Sequence, residues 1–454
     1  MDADRSSRSV PGIAAFESSA RAIVGPEHVR RATDISGSAN ATNNCGGTDF
    51  FVCPWIRAAD ENAIPPKLRV EPANEQELAG ILKLADQSAL AVIPCGGGTK
   101  LAWGNPPQRA DIILSTARLN AIVDYAWSDL TVTVEAGCTI QQLRDTLSEL
   151  GQRLALDPLW PSRATVGGVL STNDSGVLRL RFGSLRDLII GVTLALPDGT
   201  LGKSGGKVVK NVAGYDLPKL VTGALGTLGV ITRATFRIHP MPKQSRTISC
   251  LARDVREAQR LVLAIQDSKL AHSALQIRFV QSMQPQIDVL FEATQAGLSA
   301  QIEQLKIMLA PAAVTDPGPA VWNARQELYS AAEGQTSNSA LAKVSVLPTH
   351  IAEAYAALVP IAANGVHFQA VVEATGIGFV YFEATPAEIA GVLQSFRAKL
   401  EAIGGSLMIA HRPSAMPPLD AWGNPGDALP LMRAVKKQFD PKNTLNPGRF
   451  VGGI

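Results

Sequence analysis

Three glycine-rich segments stand in a fixed order along this chain. The first is Pro94-Cys95-Gly96-Gly97-Gly98-Thr99-Lys100. The second, Pro161-Ser162-Arg163-Ala164-Thr165-Val166-Gly167-Gly168, runs on into Ser171-Thr172-Asn173-Asp174-Ser175-Gly176, and Gly226-Thr227-Leu228-Gly229-Val230-Ile231-Thr232 closes the series. One such loop means little, because glycine is the default turn residue. Three, each set between apolar strand-like runs, point to backbone drawn close to a large anionic cofactor. A diphosphate needs several main-chain N–H donors aimed at one point, and a Cβ would block that approach. Gly96 to Thr99 can form such a nest at a strand end, with the Thr99 hydroxyl as a further donor. A plain turn is the competing reading for this loop taken alone. The pattern is neither a Walker A loop nor a GxGxxG turn entering a helix. In the second loop, Ser171, Thr172 and Asn173 suit a flavin, whose ring edge offers donors and acceptors; a cap for a helix starting near Thr165 is the alternative.

The 454 residues exceed one typical core, so two or more domains are expected. Apolar residues at 46% and charged residues at 18% describe a globular chain, and a formal charge of +2 carries no nucleic-acid signal. The cysteines at 45, 53, 95, 138 and 250 form no metal-type pair, which speaks for reduced thiols in a cytoplasmic protein and against an iron–sulfur cluster in this chain. No run has the length of a bilayer-spanning helix, and no signal core is present.

Residues 1 to about 20 read as a loose polar tail, a helical pattern covers Phe16 to Arg31, ending near the Gly25-Pro26 break or resuming after it, and residues 36–49 read as a loop. Strands are expected at Leu68–Val70, Ala89–Pro94, Ile112–Leu114, Ala121–Tyr125, Thr131–Glu135, Leu188–Leu196 and Val230–Ile238, with helices at Glu75–Gln87 and Thr139–Glu149. Pro240-Met241-Pro242 reads as a hinge. Beyond it, helices at Val255–Ser268, Ala300–Leu309 and Pro386–Ile403 alternate with strands at Ala274–Phe279, Leu341–Val346 and Ala370–Phe382. That βαβ-type alternation predicts a separate α+β layer domain. A helix begins near Leu429 and gives way to a proline-punctuated tail. No internal repeat is visible.

Taken together these segments resemble the FAD-linked oxidases of the vanillyl-alcohol oxidase/PCMH type, and within them the glycolate oxidase/D-lactate dehydrogenase group. The match is carried by Pro94–Lys100, Ala164–Gly176, Phe182-Gly183-Ser184, Asn211–Leu217 with Gly226–Thr232, and Phe439-Asp440-Pro441-Lys442-Asn443-Thr444-Leu445-Asn446-Pro447-Gly448-Arg449. The lead-in Gly205-Gly206-Lys207-Val208-Val209-Lys210 looks most like glycolate-oxidase E-type FAD-binding subunits. The resemblance is dense from about 65 to 242, returns near 439 and is thin between. It implies an α+β fold: a two-subdomain PCMH-type FAD-binding domain, an α+β (ferredoxin-like) substrate or cap domain, and a C-terminal segment returning to the flavin. The corresponding boundaries are 1–63 for an N-terminal extension, 64–242, 243–410 and 411–454.

By the same resemblance, Pro94, Gly96, Gly97, Gly98 and Thr99 would hold the FAD diphosphate. Pro161, Ala164, Thr165, Gly167, Gly168, Ser171, Thr172 and Asn173 would line the flavin and ribityl chain. Gly229, Val230 and Ile231 would offer backbone contacts, and Asn446 would sit near the ring. Some relatives attach FAD through a histidine in the first loop; Thr99 stands there instead, so FAD is expected to be noncovalent. The histidine-rich metal segment usual in D-2-hydroxyacid dehydrogenases is absent from this sequence, and no metal is expected. Of six isolated histidines, His411 with Arg412 is the pair best suited to act as base and carboxylate anchor. The implied activity is oxidation of a 2-hydroxy acid by hydride transfer to FAD, with electrons passing to a homologous flavoprotein subunit and an iron–sulfur subunit, and membrane association only through partners. Two further readings stand beside it: a self-sufficient FAD-linked alcohol or D-lactate oxidase, and a structural FAD subunit that does not turn over.

Overall fold

The computed structural model describes residues 12–32, 66–207, 214–334, 338–363 and 365–454. The loop expected at 36–49, Cys45, Cys53 and the 208–213 part of the motif lie outside the described residues.

Three sheets organise the chain. The first has four strands in the order Val29–Arg31, Leu68–Val70, Ile112–Ser115, Val92–Cys95; the last three run parallel. Parallel pairing requires a crossover, which the helix Glu75–Gln87 supplies. Asn74 caps that helix by accepting from the Glu77 amide, and Leu78, Ile81, Leu82 and Ala85 form its buried face. The N-terminal segment joins this layer. A helix at Ile13–Val24 buries Phe16, Ala20 and Val24, and Val29–Arg31 pairs antiparallel with Leu68–Val70. The polar tail therefore gives way to helix at Ile13, because apolar residues four apart share one face. The helix ends at the Gly25-Pro26 break, the first of the two ends that the pattern allowed, and a short turn and strand follow.

The second sheet is antiparallel, in the order Ile122–Ala126, Thr131–Glu135, Val230–Arg237, Ile189–Ala195, Leu201–Gly205. Its core includes Val132, Val134, Ile140, Leu143, Leu147, Val192, Leu194 and Phe236.

The third sheet belongs to the cap, and all its pairings are antiparallel: Val314–Thr315, Gln244–Leu251, Gln286–Ala293, His272–Val280, His367–Glu373, Ile377–Glu383, Ser339–Ser345, Ser406–His411. Each half of it is a βαββαβ unit. The first half uses the helices Val255–Asp267 and Gln295–Leu309; the second uses Ile351–Ala356 and Pro386–Ala402. The cap is thus two ferredoxin-like units joined edge to edge, a repeat of topology that the sequence does not display. Those four helices pack on one face of the sheet. The other face meets the flavin-side domain through Leu341, Phe379 and Tyr381, the helix Ala324–Gly334, and Trp103, Leu159 and Trp160 from across the boundary. The C-terminal chain returns to the first sheet, where the Val92 amide donates to the Thr444 carbonyl and the Asn446 amide to that of Val92.

Candidate active site

An open groove runs between the first and second sheets. It is lined by the first glycine loop from Pro94 to Leu101, by Thr165, Gly167, Gly168, Ser171 and Thr172, by Gly226 and Gly229 to Ile231, and by Asn446 and Arg449. Four stretches of sequence more than fifty residues apart thus meet around one space. The strand Val92–Cys95 delivers the first loop; Gly98 turns it with φ of 70°. The second contributes through a helix at Val166–Thr172 capped by the Thr165 hydroxyl, which accepts from the Gly168 amide. The helix-cap reading and the groove-lining reading of Thr165 therefore both describe the residue.

The main-chain amides of the two loops are used differently. In the second loop the Val166 amide donates to the Cys138 carbonyl, Gly167 to Ala136, Gly168 to the Thr165 hydroxyl and Val169 to the Thr165 carbonyl. In the first loop the amides of Gly96, Gly97, Gly98 and Thr99 donate to no group among the described residues. Consecutive unused N–H groups facing one space are the cradle that a diphosphate fits. The glycines have a second reason to be there. A Cβ on Gly96 would strike the Thr165 side chain, and one on Gly97 would strike the Arg163 carbonyl. The two loops pack against each other so closely that only glycine fits at the contact.

Pro161, Ala164 and Asn173 do not line the groove. Pro161 borders a second cavity. Ala164 is buried in the core of the second sheet. Asn173 ends the helix in the left-handed conformation at φ 50°. Asn446 is 1% exposed, and its amide donates to the Leu225 carbonyl at 2.6 Å. Arg449 holds the first loop's exit through the Leu101 and Trp103 carbonyls at 2.6 and 3.0 Å. Sequence reading passed over Cys95, Lys100, Leu101, Thr116, Ala136, Leu225 and Arg449 as lining residues, although Lys100 and Arg449 lie within motifs it singled out.

Where the cap meets the groove, ionisable side chains are buried. Lys100 Nζ lies 3.1 Å from Asp174 Oδ2, and Asp174 Oδ1 lies 2.7 Å from Arg325 of the cap. Burial pushes the Asp174 carboxyl up, but Arg325 and Lys100 outweigh it and hold it at about 2. Lys343, on the cap strand, stands 5.1 Å over the Trp103 ring, and burial lowers it to about 8. Beyond Arg325 a second cavity of about 190 Å³ is bordered by Arg144, Asp157, Gln276, Trp322 and Glu373. Burial raises Asp157 to about 7 and also raises Glu373. Arg325 and Lys343 carried no sequence signal of their own, and Asp174, although it lies within the second motif, was given no role, since the importance of all three comes from meeting at a domain boundary.

His411 and Arg412 line neither cavity. Neighbours on a strand point to opposite faces. The strand Ser406–His411 bulges after Ile409, so that His411 stands opposite Leu341 of the interface, and Arg412 follows just beyond the strand end. Arg412 is committed to the carbonyls of Leu419 and Gly104 at 2.8 and 3.2 Å. Burial first, and Arg412 second, lower His411 to about 4, so it is neutral at pH 7. No group of metal-ligating side chains occurs among the described residues, and none of their helices is long and apolar enough to cross a membrane.

Comparison with known proteins agrees with this geometry. Residues 66–205 match the family described as FAD binding domain, and residues 422–450 match the C-terminal domain of FAD linked oxidases. The chain is 27% identical over 421 residues to the glycolate oxidase subunit GlcD of Bacillus subtilis, covering 85% of this chain and 89% of that one. It is 28% identical over 408 residues to a D-lactate dehydrogenase of Archaeoglobus fulgidus, covering 84% and 90%. The fold matches that of p-cresol methylhydroxylase with a TM-score of 0.71 over 96% of both chains at 15% identity. The chain carries an FAD binding domain and the C-terminal domain of FAD linked oxidases, shares the α+β fold of a PCMH-type enzyme, and is an FAD-dependent oxidoreductase.

Proposed function

We propose that this chain oxidises a small 2-hydroxy acid to the 2-oxo acid as one subunit of a larger complex. The observation that carries the reading is the row of unused amides at Gly96 to Thr99, opening into a groove that ends at a buried junction with the cap. Relatives along most of the chain are a glycolate oxidase subunit and a D-lactate dehydrogenase, and both names denote 2-hydroxy acid chemistry.

In this reading Gly96, Gly97, Gly98 and Thr99 hold the diphosphate through their amides. Thr165, Gly167, Gly168, Ser171 and Thr172 flank the ribityl chain and ring, Gly229 to Ile231 contribute main chain, and Asn446 closes the ring end. Pro161, Ala164 and Asn173 shape the second loop from behind. No histidine lines the groove, which supports noncovalent FAD. Bound FAD supplies the acceptor for the hydride, which carries two electrons and a proton from the hydroxyl-bearing carbon. The hydroxyl proton needs a base within reach. Lys343 faces the interface over the Trp103 ring and, with a value of about 8, stands there mostly as a cation near neutral pH. Arg325 and Lys343 give the junction its affinity for a carboxylate. The electrons then leave to a partner subunit.

A second reading has one observation behind it. Trp103, Trp160, Tyr329 and Phe379 pack against one another at the junction, with ring centroids 4.9 to 6.3 Å apart. They occupy space that a substrate would need, as expected for a flavin subunit that does not turn over by itself. Anaerobic mixing of the FAD-loaded protein with glycolate, D-lactate and D-2-hydroxyglutarate decides between them. Bleaching of the flavin absorbance supports oxidation by this chain. No bleaching, alone or in the assembled complex, removes that reading in favour of the second.

A further inference from the structure

Lys100 follows the diphosphate loop directly and lines the cofactor groove, yet its ammonium points into protein. Its side chain is 4% exposed, with Asp174 Oδ2 at 3.1 Å, the Leu159 carbonyl at 3.4 Å and the Thr99 hydroxyl at 3.5 Å. Asp174 is itself 1% exposed and comes from the end of the second loop. Its Oδ2 also accepts from the Leu159 amide at 2.9 Å, and its Oδ1 meets Arg325. Arg325 makes one more bond, from its other terminal nitrogen to the Asp157 carbonyl at 2.6 Å. Aromatic faces surround the group: Trp160 lies 5.5 Å from Lys100 Nζ and Phe379 lies 5.7 Å from the Arg325 guanidinium.

Lys100 and Arg325, with Lys343 nearby, share the single carboxylate Asp174 that is held ionised, so cationic side chains outnumber it in a buried site, and burial lowers Lys100 and Lys343 accordingly. A buried charge without a partner is costly, so such an arrangement persists where an anion completes it. Burial raises the nearby carboxyls Asp157 and Glu373, and Arg325 opposes that shift in both. The adjoining groove does offer an anion whenever a flavin ring held there takes up a hydride.

We propose that Lys100, Asp174 and Arg325 form one unit that sets the reduction potential of the bound flavin, and that the cap, through Arg325, supplies the surplus positive charge that favours the reduced ring. The two cofactor loops and the cap each contribute one member, so cap docking and flavin potential are coupled. Electrostatics of this kind acts strongly in a low-dielectric site. These are positioning residues acting on the cofactor's field. The inference rests on FAD occupying the groove.

The test is the midpoint potential of the full-length, FAD-loaded chain, measured by equilibration with a reference dye, after FAD stoichiometry has been read from absorbance. Lys100→Met and Arg325→Met should each lower the potential, because each removes a positive charge. Lys100→Arg and Arg325→Lys should keep it near the wild-type value. Lys100 and Arg325 lie on opposite sides of the domain boundary, so failure of one variant to fold leaves the other decisive. FAD-replete Met variants with unshifted potentials overturn the inference and leave the FAD reading intact. So does a Lys100→Met protein that binds FAD and ADP equally weakly with its potential unchanged, since Lys100 would then serve the diphosphate. A wild-type chain that takes up no FAD overturns both.

Discussion

Single residues matter here through what they touch. A Cβ on Gly97 would meet the Arg163 carbonyl, which cannot move without shifting the second loop. Gly97→Ala should therefore abolish FAD retention on gel filtration and lower the melting temperature. Gly391 in the helix Pro386–Ala402 is the control: nothing lies near its added Cβ. Gly391→Ala should leave FAD binding unchanged and raise stability by about 0.5–1 kcal/mol, as alanine is the better helix former. Asp174 sets the acid limit of the domain boundary. Its folded value of about 2 lies below the ordinary 3.8. Its contribution is thus fully present above about pH 4 and is lost as pH falls toward 2. Asp174→Asn should flatten that limb of an acid denaturation curve. It should also cost roughly 3–5 kcal/mol near neutral pH, measured by urea unfolding, because two buried cations lose their counter-charge.

Elements were legible to the extent that their signals are local. The helix Glu75–Gln87 and the strand Thr131–Glu135 fall where apolar periodicity and capping residues put them. Strands such as Gln244–Leu251 and Gln286–Ala293 were not visible, because Gln244, Ser245 and Arg246 open the first, and Gln286 and Asp288 interrupt the second. Asp288 is tolerated only because Arg278, Gln276 and Ser249 bond it from neighbouring strands and the strand before it. The cap read as βαβ alternation for a related reason. Helix and strand order is written locally, but parallel or antiparallel pairing is a choice of partner, and all eight cap strands pair antiparallel. The C-terminal return depends on one buried carboxylate. Asp440 receives Lys436 Nζ at 2.6 Å and the amides of Thr444 and Leu445 at 2.8 Å each. Asp440→Ala should destabilise the protein by about 3 kcal/mol in urea unfolding and release FAD earlier than wild type, because it leaves the Lys436 charge buried and unpaired.

The whole molecule is held as one by contacts between distant segments. Arg153, beside the second sheet, grips Glu292 of the cap with two bonds of 2.6 and 2.7 Å. Glu292→Gln should loosen the cap by about 2 kcal/mol. Limited proteolysis should then cut near Pro240–Pro242, where the chain crosses to the cap, faster than in wild type, with FAD protecting less; unchanged cleavage would show that the pair does not hold the domains together.

The groove was readable before any fold was known, since glycine runs at strand ends report a local need for bare backbone. The motif residues from Pro94 to Thr99, most of the second loop, Gly229 to Ile231 and Asn446 do meet around it. What no reading of the chain alone reached is the junction above it. Lys100, Asp174, Arg325 and Lys343 come from four stretches of sequence; the first two lie in the glycine-rich motifs, but nothing local marks any of the four as a partner of the others. Backbone chemistry is written residue by residue, and so the chain alone declares it. Burial, opposing charges and shifted protonation exist only after the cap closes on the flavin domain, and so tertiary structure alone decides them.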